Sequence, residues 1–124
     1  MIHSSQKAGV NLEKPSASLS EVRRGVLELA LLGLLAKEPS HGYALLERLS
    51  AFATLDIAAG TLYPLLRRLE RDCLVRSDWT EPHGGPPRKV YTLSEPGSLR
   101  LRELTAVWRQ LISDMSNIVE VDLS

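Results

Sequence analysis

The sequence predicts a mainly α-helical fold with a small β-hairpin, in the α+β class. Apolar residues recur at helical spacing in four segments between residues 18 and 118. Two six-residue runs rich in β-branched and aromatic residues, 75–80 and 88–93, flank a loop of turn-forming residues. With 124 residues, 44% of them apolar, the chain suits one domain.

The overall charge and the cysteine content exclude several classes of protein. Fifteen Lys and Arg are balanced by fifteen Asp and Glu, which argues against a generic polyanion binder. The single Cys73 cannot form an internal disulfide, in agreement with a reducing compartment. The longest apolar stretch, residues 26–36, is shorter than the ~20 residues of a bilayer helix. The first twenty residues lack the apolar region of a secretory signal, so we expect a cytoplasmic protein without a membrane partner.

The N-terminal half of the chain contains a tail and two predicted helices. Residues 1–17 lack periodicity and are predicted to be a flexible tail. Ser18 and Glu21 match a capping box, which predicts that one helix starts there and continues through the apolar residues 22–36. Ser40 is expected to cap a second helix that runs to about residue 52.

A third helix is predicted from residue 60 or 61 to residue 71. Its leucines gather on one face, which we expect to lie in the core. The opposite face carries three arginines, Arg67, Arg68 and Arg71. This face has two interpretations, a basic binding surface or a solvated surface with ion pairs to Glu70 and Asp72. Pro64 is tolerated only in the first helical turn, so the helix should begin close to Gly60.

The two β-type runs predict a hairpin, and a long helix follows it. Residues 81–87 contain Gly and Pro and should form a protruding loop. From residue 94 onward, apolar residues alternate at spacings of three and four, as in a heptad seam. The members of this seam are Leu101, Leu104, Trp108, Leu111, Met115 and Ile118. A lone amphipathic helix has nothing in its own chain to cover it, so a homodimer with a twofold interface is predicted.

Three helices followed by a hairpin have the order of a winged helix-turn-helix, which we assign to residues 18–93. The further helix, residues 94–124, is the predicted C-terminal dimerisation helix. The third helix is narrow enough to enter a DNA major groove, and the hairpin reaches the backbone nearby. Double-stranded DNA is therefore the expected partner. The residues expected to contact DNA are Tyr43, Thr61, Tyr63, Pro64, Arg67, Arg68, Arg71, Arg88 and Lys89.

Four motifs in order resemble the PadR family of bacterial transcriptional regulators. They are residues 24–28 (RGVLE), 41–43 (HGY), 60–70 (GTLYPLLRRLE) and 84–91 (GGPPRKVY). The resemblance covers about residues 19–118. It implies a homodimeric regulator, usually a repressor, that binds a pseudo-palindromic operator and releases it on binding a small molecule. Some members of the branch with a single C-terminal helix bind flat aromatic compounds beside a tryptophan. Trp108 falls at the matching place, which implies that it packs in the dimer interface, stacks on an aromatic effector, or does both.

Three residues depart from the pattern of this family. Cys73 stands where a glycine usually follows the third helix, so we expect strain or a different cap there. Ala58 stands where a serine is common, which removes a hydroxyl cap. Pro96 replaces a usual alanine and should fix the start of the last helix. None of the three removes a basic residue, so they bear on affinity more than on function.

The motifs of catalysis and metal binding are missing from the sequence. It contains no Gly-rich phosphate loop, no HExxH and no nucleophile elbow, so no enzyme is predicted. His3, His41 and His83 lack the spacing of metal ligands, so neither metal nor cofactor is expected. One alternative is a winged-helix module that docks another protein and does not bind DNA. Another, a small ligand-binding or catalytic protein, depends only on the seam around Trp108.

Overall fold

The computed structural model describes residues 17–81 and 83–119. Most of the predicted tail, residues 1–17, lies outside these ranges, and only Ala17 is described. The elements follow in the order α1 (Ala17–Arg24), α2 (Leu27–Lys37), β1 (Ser40–His41), α3 (Gly42–Ser50), α4 (Ala59–Arg71), β2 (Val75–Thr80), β3 (Arg88–Leu93) and α5 (Glu95–Val119), with a short 3₁₀ turn at Ala53–Leu55. The strands form an antiparallel sheet in the order β1-β3-β2. The predicted α+β class is confirmed.

The single helix predicted for residues 18–36 is wrong, because α1 and α2 are separate helices. Gly25 donates its amide to the carbonyl of Val22 at 3.3 Å, and Val26 donates to that of Arg23 at 2.9 Å. These bonds reach back three residues instead of four, so the turn tightens and α1 ends. Gly25, a poor helix former, stands at this break. Ser18 already lies inside α1, and the side chains of the predicted capping box lie outside the described part.

The prediction that Ser40 caps the second predicted helix, which corresponds to α3, is also wrong. Ser40 lies in β1 and pairs with Tyr91 of β3, while His41 pairs with Val90. His41 is the residue that caps α3, since its Nδ1 accepts a hydrogen bond from the Ala44 amide at 3.2 Å. A two-residue strand has no periodicity, so only its pairing with β3 reveals it.

The core lies between α2, α3 and α4, and the sheet closes one side of it. Of the leucines of α4 that the periodicity placed inward, Leu62, Leu66 and Leu69 are fully inaccessible and Leu65 is half-buried. They belong to one apolar cluster with Leu31 and Leu45 of the two preceding helices. Each buried leucine contributes about 1.5–3 kcal/mol relative to an exposed one. Burial of this face of α4 turns its opposite, arginine-bearing face toward solvent.

The end of α4 bears out the expectation for Cys73, whose φ is +63°. The amide of Leu74 donates to the carbonyl of Leu69 at 2.9 Å, and the amide of Cys73 donates to the carbonyl of Glu70 at 3.0 Å. This pair of bonds is the Schellman motif, which normally places glycine in the left-handed position. A residue with a Cβ is strained there.

The two strands of the hairpin have the bounds predicted from sequence, with β2 and β3 paired from Val75–Leu93 to Thr80–Arg88. The last helix, predicted over 94–124, begins at Glu95 and is described as far as Val119. Ser94 joins α5 to the end of α4. Its Oγ accepts from the Gly97 amide at 3.0 Å and donates to the Cys73 carbonyl at 2.7 Å. A Cβ on buried Gly97 would overlap the carbonyl oxygen of Leu74, so this close approach requires glycine.

The two halves of α5 have different surroundings. Its N-terminal half packs on α2, and Leu101 and Leu104 are partly buried against the core. Farther along, the apolar residues face solvent in this single chain, and Met115 and Ile118 are 41% and 72% exposed. Within the described ranges, no helix has the length and apolar content needed to cross a bilayer.

Candidate nucleic-acid interface

The solvent face of α4 carries the predicted DNA-contacting residues of that helix. Thr61, Pro64, Arg67, Arg68 and Arg71 are exposed, whereas Tyr63 is half-buried. The helix begins at Ala59, so Pro64 is its sixth residue and lies beyond the first turn, contrary to the prediction. Proline lacks the amide that would bond to the Gly60 carbonyl. Gly60 and Pro64 are both exposed, so water is free to bind that carbonyl.

The three arginines of α4 differ in their ionic partners. Within the described ranges, Arg67 and Arg71 have no carboxylate within 4.0 Å, whereas Arg68 Nη2 lies 3.1 Å from Glu28 Oε1. The ion pairs considered from sequence, to Glu70 and Asp72, do not form. Glu70 instead accepts a hydrogen bond from Ser77 Oγ at 2.5 Å and faces the Lys89 ammonium at 3.4 Å.

Glu28 connects three helices through its carboxylate. Oε1 accepts from Arg68 of α4 at 3.1 Å, and Oε2 accepts from Arg100 Nε of α5 at 3.0 Å. The Glu28 side chain is 20% exposed and projects from α2. Each oxygen therefore has its own arginine, and Arg68 is held back against the helical body. Neither partner was predicted, since they lie 40 and 72 residues from Glu28 along the chain.

A cleft of about 430 Å³ lies between the start of α3, the start of α4 and the hairpin. It brings together four predicted contact residues, Tyr43, Tyr63, Arg88 and Lys89. The remaining residues of its lining are His41, Gly42, Trp79 and Tyr91. Among the described residues, the lining thus contains two cations, the His41 imidazole and four Tyr or Trp rings but no acidic residue. A Cβ on Gly42 would come within 2.5 Å of the Tyr63 ring, so glycine permits this contact between α3 and α4.

The basic residues of the hairpin lie at this cleft in different environments. Arg88 Nη1 is 3.0 Å from His41 Nε2. Lys89 Nζ is 5.7 Å from the centre of the Tyr91 ring and also pairs with Glu70. Burial raises the pKa of Tyr91, although the nearby Lys89 ammonium opposes the shift, so the phenol stays protonated at neutral pH. Sequence reasoning missed His41 and Trp79 here, although the HGY motif contains one of them.

A second, apolar region surrounds Trp108. Two hollows of about 400 and 210 Å³ lie beside this side chain, and Val22, Val26 and Leu29 line both. Trp108 is 38% exposed and Val22 is 72% exposed. Among the residues described, no three His, Cys, Asp or Glu side chains are grouped as metal ligands would be.

Comparison with known proteins agrees with this geometry. A sequence profile of the transcriptional regulator PadR-like family matches residues 31–103. A PadR family transcriptional regulator from Eggerthella lenta is 39% identical, with a TM-score of 0.76 over 86% of this chain and 92% of that one. A PadR-like transcriptional regulator from Bacillus cereus is 26% identical, with a TM-score of 0.74 over 82% and 99% of the two chains. An uncharacterised protein of Lysinibacillus sphaericus is 27% identical over 94 residues, which are 74% of this chain and 86% of that protein.

The profile match extends from the core leucines of α2 through α4 and the hairpin into α5. In this layout α3 and α4 form the helix-turn-helix, and the hairpin of residues 75–93 is the wing. The family resemblance seen in the motifs is confirmed. The chain belongs to the PadR-like family, and it is a DNA-binding transcriptional regulator rather than an enzyme.

Proposed function

We propose that the protein is a sequence-specific repressor that binds a pseudo-palindromic operator as a homodimer and leaves it when a small aromatic effector binds. In this proposal α4 is the recognition helix and lies in the major groove. The wing contacts the adjacent backbone. Because the target is chromosomal DNA, the protein works in the bacterial cytoplasm.

The observation that carries the proposal is the solvent face of α4. Arg67 and Arg71 are exposed and, in the described part of the chain, unpaired with any carboxylate. An arginine without an internal partner is available for a guanine edge or a phosphate oxygen. Thr61 and Pro64 lie on the same exposed side. Arg68 is paired with Glu28, so we assign it a smaller share of the contact with DNA.

The cleft beside the wing supports contacts with the DNA backbone. Arg88 supplies positive charge, Lys89 adds a cation that is already paired with Glu70, and Tyr43 and Tyr63 supply hydroxyl groups. Such groups position a protein on the duplex without reading its sequence. The described residues of this lining include no acidic group, which favours phosphate.

The exposed seam of α5 supports a homodimer. Trp108, Leu111, Met115 and Ile118 are 38–72% exposed in the single chain. Val22 of α1 adds to this apolar surface. A second copy would bury the whole seam through a twofold interface, and the two recognition helices would then meet the two halves of a palindrome. The hollows beside Trp108 border this seam, so an aromatic effector there would alter the spacing of the two helices.

Selection of bound sequences from random double-stranded DNA tests the proposal. The expected result is an inverted repeat whose half-sites are centred about one or two helical turns apart. Light scattering on the free protein should give the mass of two chains. A monomer that binds no duplex at low salt would overturn the proposal and favour the alternative of a protein-interaction module that does not bind DNA.

A paired substitution then tests the recognition helix. The variant Arg67→Ala with Arg71→Ala should lose operator binding, and its melting temperature should stay within about 2 °C, because exposed charges contribute little to stability. Arg102→Ala, an exposed arginine of α5, is the matched control and should bind normally. Full binding by the double variant would show that α4 is not the recognition helix.

A further inference from the structure

We propose that His41 and Arg88 together bind one phosphate of the DNA backbone, with the His41 Nε2–H as a donor. The inference rests on the proposed function. It adds His41, which is not among the DNA-contacting residues named there. The ligand is a phosphodiester oxygen, and the site lies where the cap of α3 meets the first residue of β3.

The first step concerns the position of the proton on the imidazole ring. Nδ1 of His41 lies 3.2 Å from the Ala44 amide nitrogen. A backbone amide only donates, so Nδ1 must be the unprotonated acceptor. In a neutral imidazole the proton is then on Nε2. The cap of α3 therefore sets the tautomer and makes Nε2 a donor.

The second step concerns the partner of that donor. Nε2 lies 3.0 Å from Arg88 Nη1, and a guanidinium also only donates. Two donors thus face each other, and neither satisfies the other. Among the described residues, no carboxylate lies within 4.0 Å of Arg88. An anionic oxygen placed against both groups would accept from Nε2 and from the guanidinium at once.

The opposite tautomer is less favourable for a structural reason. A proton on Nδ1 would let Nε2 accept from Arg88 but would leave the Ala44 amide without an acceptor. Ala44 is half-buried in the first turn of α3, whereas Arg88 is exposed and free to move. Loss of an N-terminal cap costs more than an exposed contact contributes.

The surroundings of this pair favour a phosphate. The Lys89 ammonium and the hydroxyls of Tyr43 and Tyr63 line the same cleft. The first amides of α3 add partial positive charge at this end of the helix. The lining, as far as its residues are described, includes no acidic residue that would repel an anion, and the neighbouring Glu70 is paired with Lys89.

The test uses a variant that keeps the cap and loses the donor. Asparagine is a strong N-cap, so His41→Asn should keep α3 capped through its side-chain oxygen. The amide of this shorter side chain does not extend to the position of Nε2. Arg102→Ala is the control, since Arg102 is exposed on α5, outside the wing and α4, and does not line the cleft.

Binding is measured by fluorescence anisotropy with a mixed-sequence duplex of about two helical turns at low salt, where phosphate contacts dominate. His41→Asn should bind about three- to tenfold more weakly than the wild type, in the range of one lost hydrogen bond. Its melting temperature and salt dependence should not change, because a neutral imidazole displaces no counterion.

Arg88→Ala should flatten the salt dependence by about one counterion per subunit. The double variant should lose less than the product of the two single losses, because both groups bind one phosphate.

Nitrogen-15 spectra of the imidazole test the wild-type protein directly. Nε2 should carry the proton in the free protein, and its resonance should shift on adding the duplex. Inorganic phosphate at the same salt concentration should shift the Nε2 resonance less than the duplex does, because the site requires a DNA backbone. A shift equal to that caused by the duplex would overturn the assignment to DNA.

Other outcomes would also refute the inference. If the wild type binds duplex and His41→Asn binds equally well, the inference is wrong and the proposed function stands. If the wild type binds no duplex, both fail. If His41→Asn unfolds more easily than the wild type, the nitrogen-15 spectra of the wild type decide. An Nε2 resonance that does not shift in saturating duplex would then overturn the inference.

Discussion

The prediction that best connects the fold to DNA binding concerns the substitution Glu28→Gln. The Glu28 carboxylate holds Arg68 at 3.1 Å and Arg100 at 3.0 Å. Glutamine keeps the shape of the side chain but removes its charge, and its amide nitrogen repels one of the two guanidinium groups. We expect the variant to be less stable and yet to bind DNA more tightly, because Arg68 becomes free to contact a phosphate.

The size of both effects follows from the geometry. Exposed ion pairs contribute about 0.2–1 kcal/mol each. The side chains of Arg68 and Arg100 are 48% and 44% exposed, so the two pairs together should contribute about 1 kcal/mol to the free energy of unfolding. Such a loss lowers the melting temperature by about 3–5 °C for a chain of this length. One new phosphate contact per subunit, two per dimer, should steepen the slope of log K against log salt by about 1.8.

The assay combines thermal unfolding with titration of a labelled duplex at several salt concentrations. Glu47→Gln is the control, since it removes the same charge from an exposed position of α3. It should leave the melting temperature and the salt slope nearly unchanged. If Glu28→Gln instead binds DNA more weakly at an unchanged slope, then Glu28 orients Arg68 toward DNA, and the reasoning that it withholds this arginine is refuted.

Three further predictions concern stability and assembly. Cys73→Gly should stabilise the fold by about 0.5–1 kcal/mol in urea unfolding, because relief of about 1–2 kcal/mol of left-handed strain exceeds the added entropy of unfolded glycine. Cys73→Ala keeps that strain and should give no gain. Gly97→Ala should lower the free energy of unfolding by at least about 2 kcal/mol, because its Cβ would overlap the Leu74 carbonyl. A melting temperature equal to that of the wild type would contradict this close packing. Met115→Glu should give the mass of one chain in light scattering while the circular dichroism of each chain is preserved, and a persistent dimer would place the interface elsewhere.

Local patterns in the sequence predict most of the helices and strands. The β-branched and aromatic residues of 75–80 and 88–93 predict β2 and β3 with their observed bounds. The leucine spacing of α4 identifies its buried face. These features depend on interactions between residues a few positions apart, so periodicity and turn chemistry are sufficient to predict them.

The contacts within the candidate interface depend on the tertiary fold instead. His41 meets Arg88 across 47 residues, and Glu28 meets Arg100 across 72. Strand β1 exists only because β3 lies beside it. No periodicity records such encounters, because they arise when packing of the core leucines brings distant segments together. Composition and spacing thus establish which surface of α4 is basic, whereas the packed chain decides which of its arginines is already paired and which histidine nitrogen faces the wing.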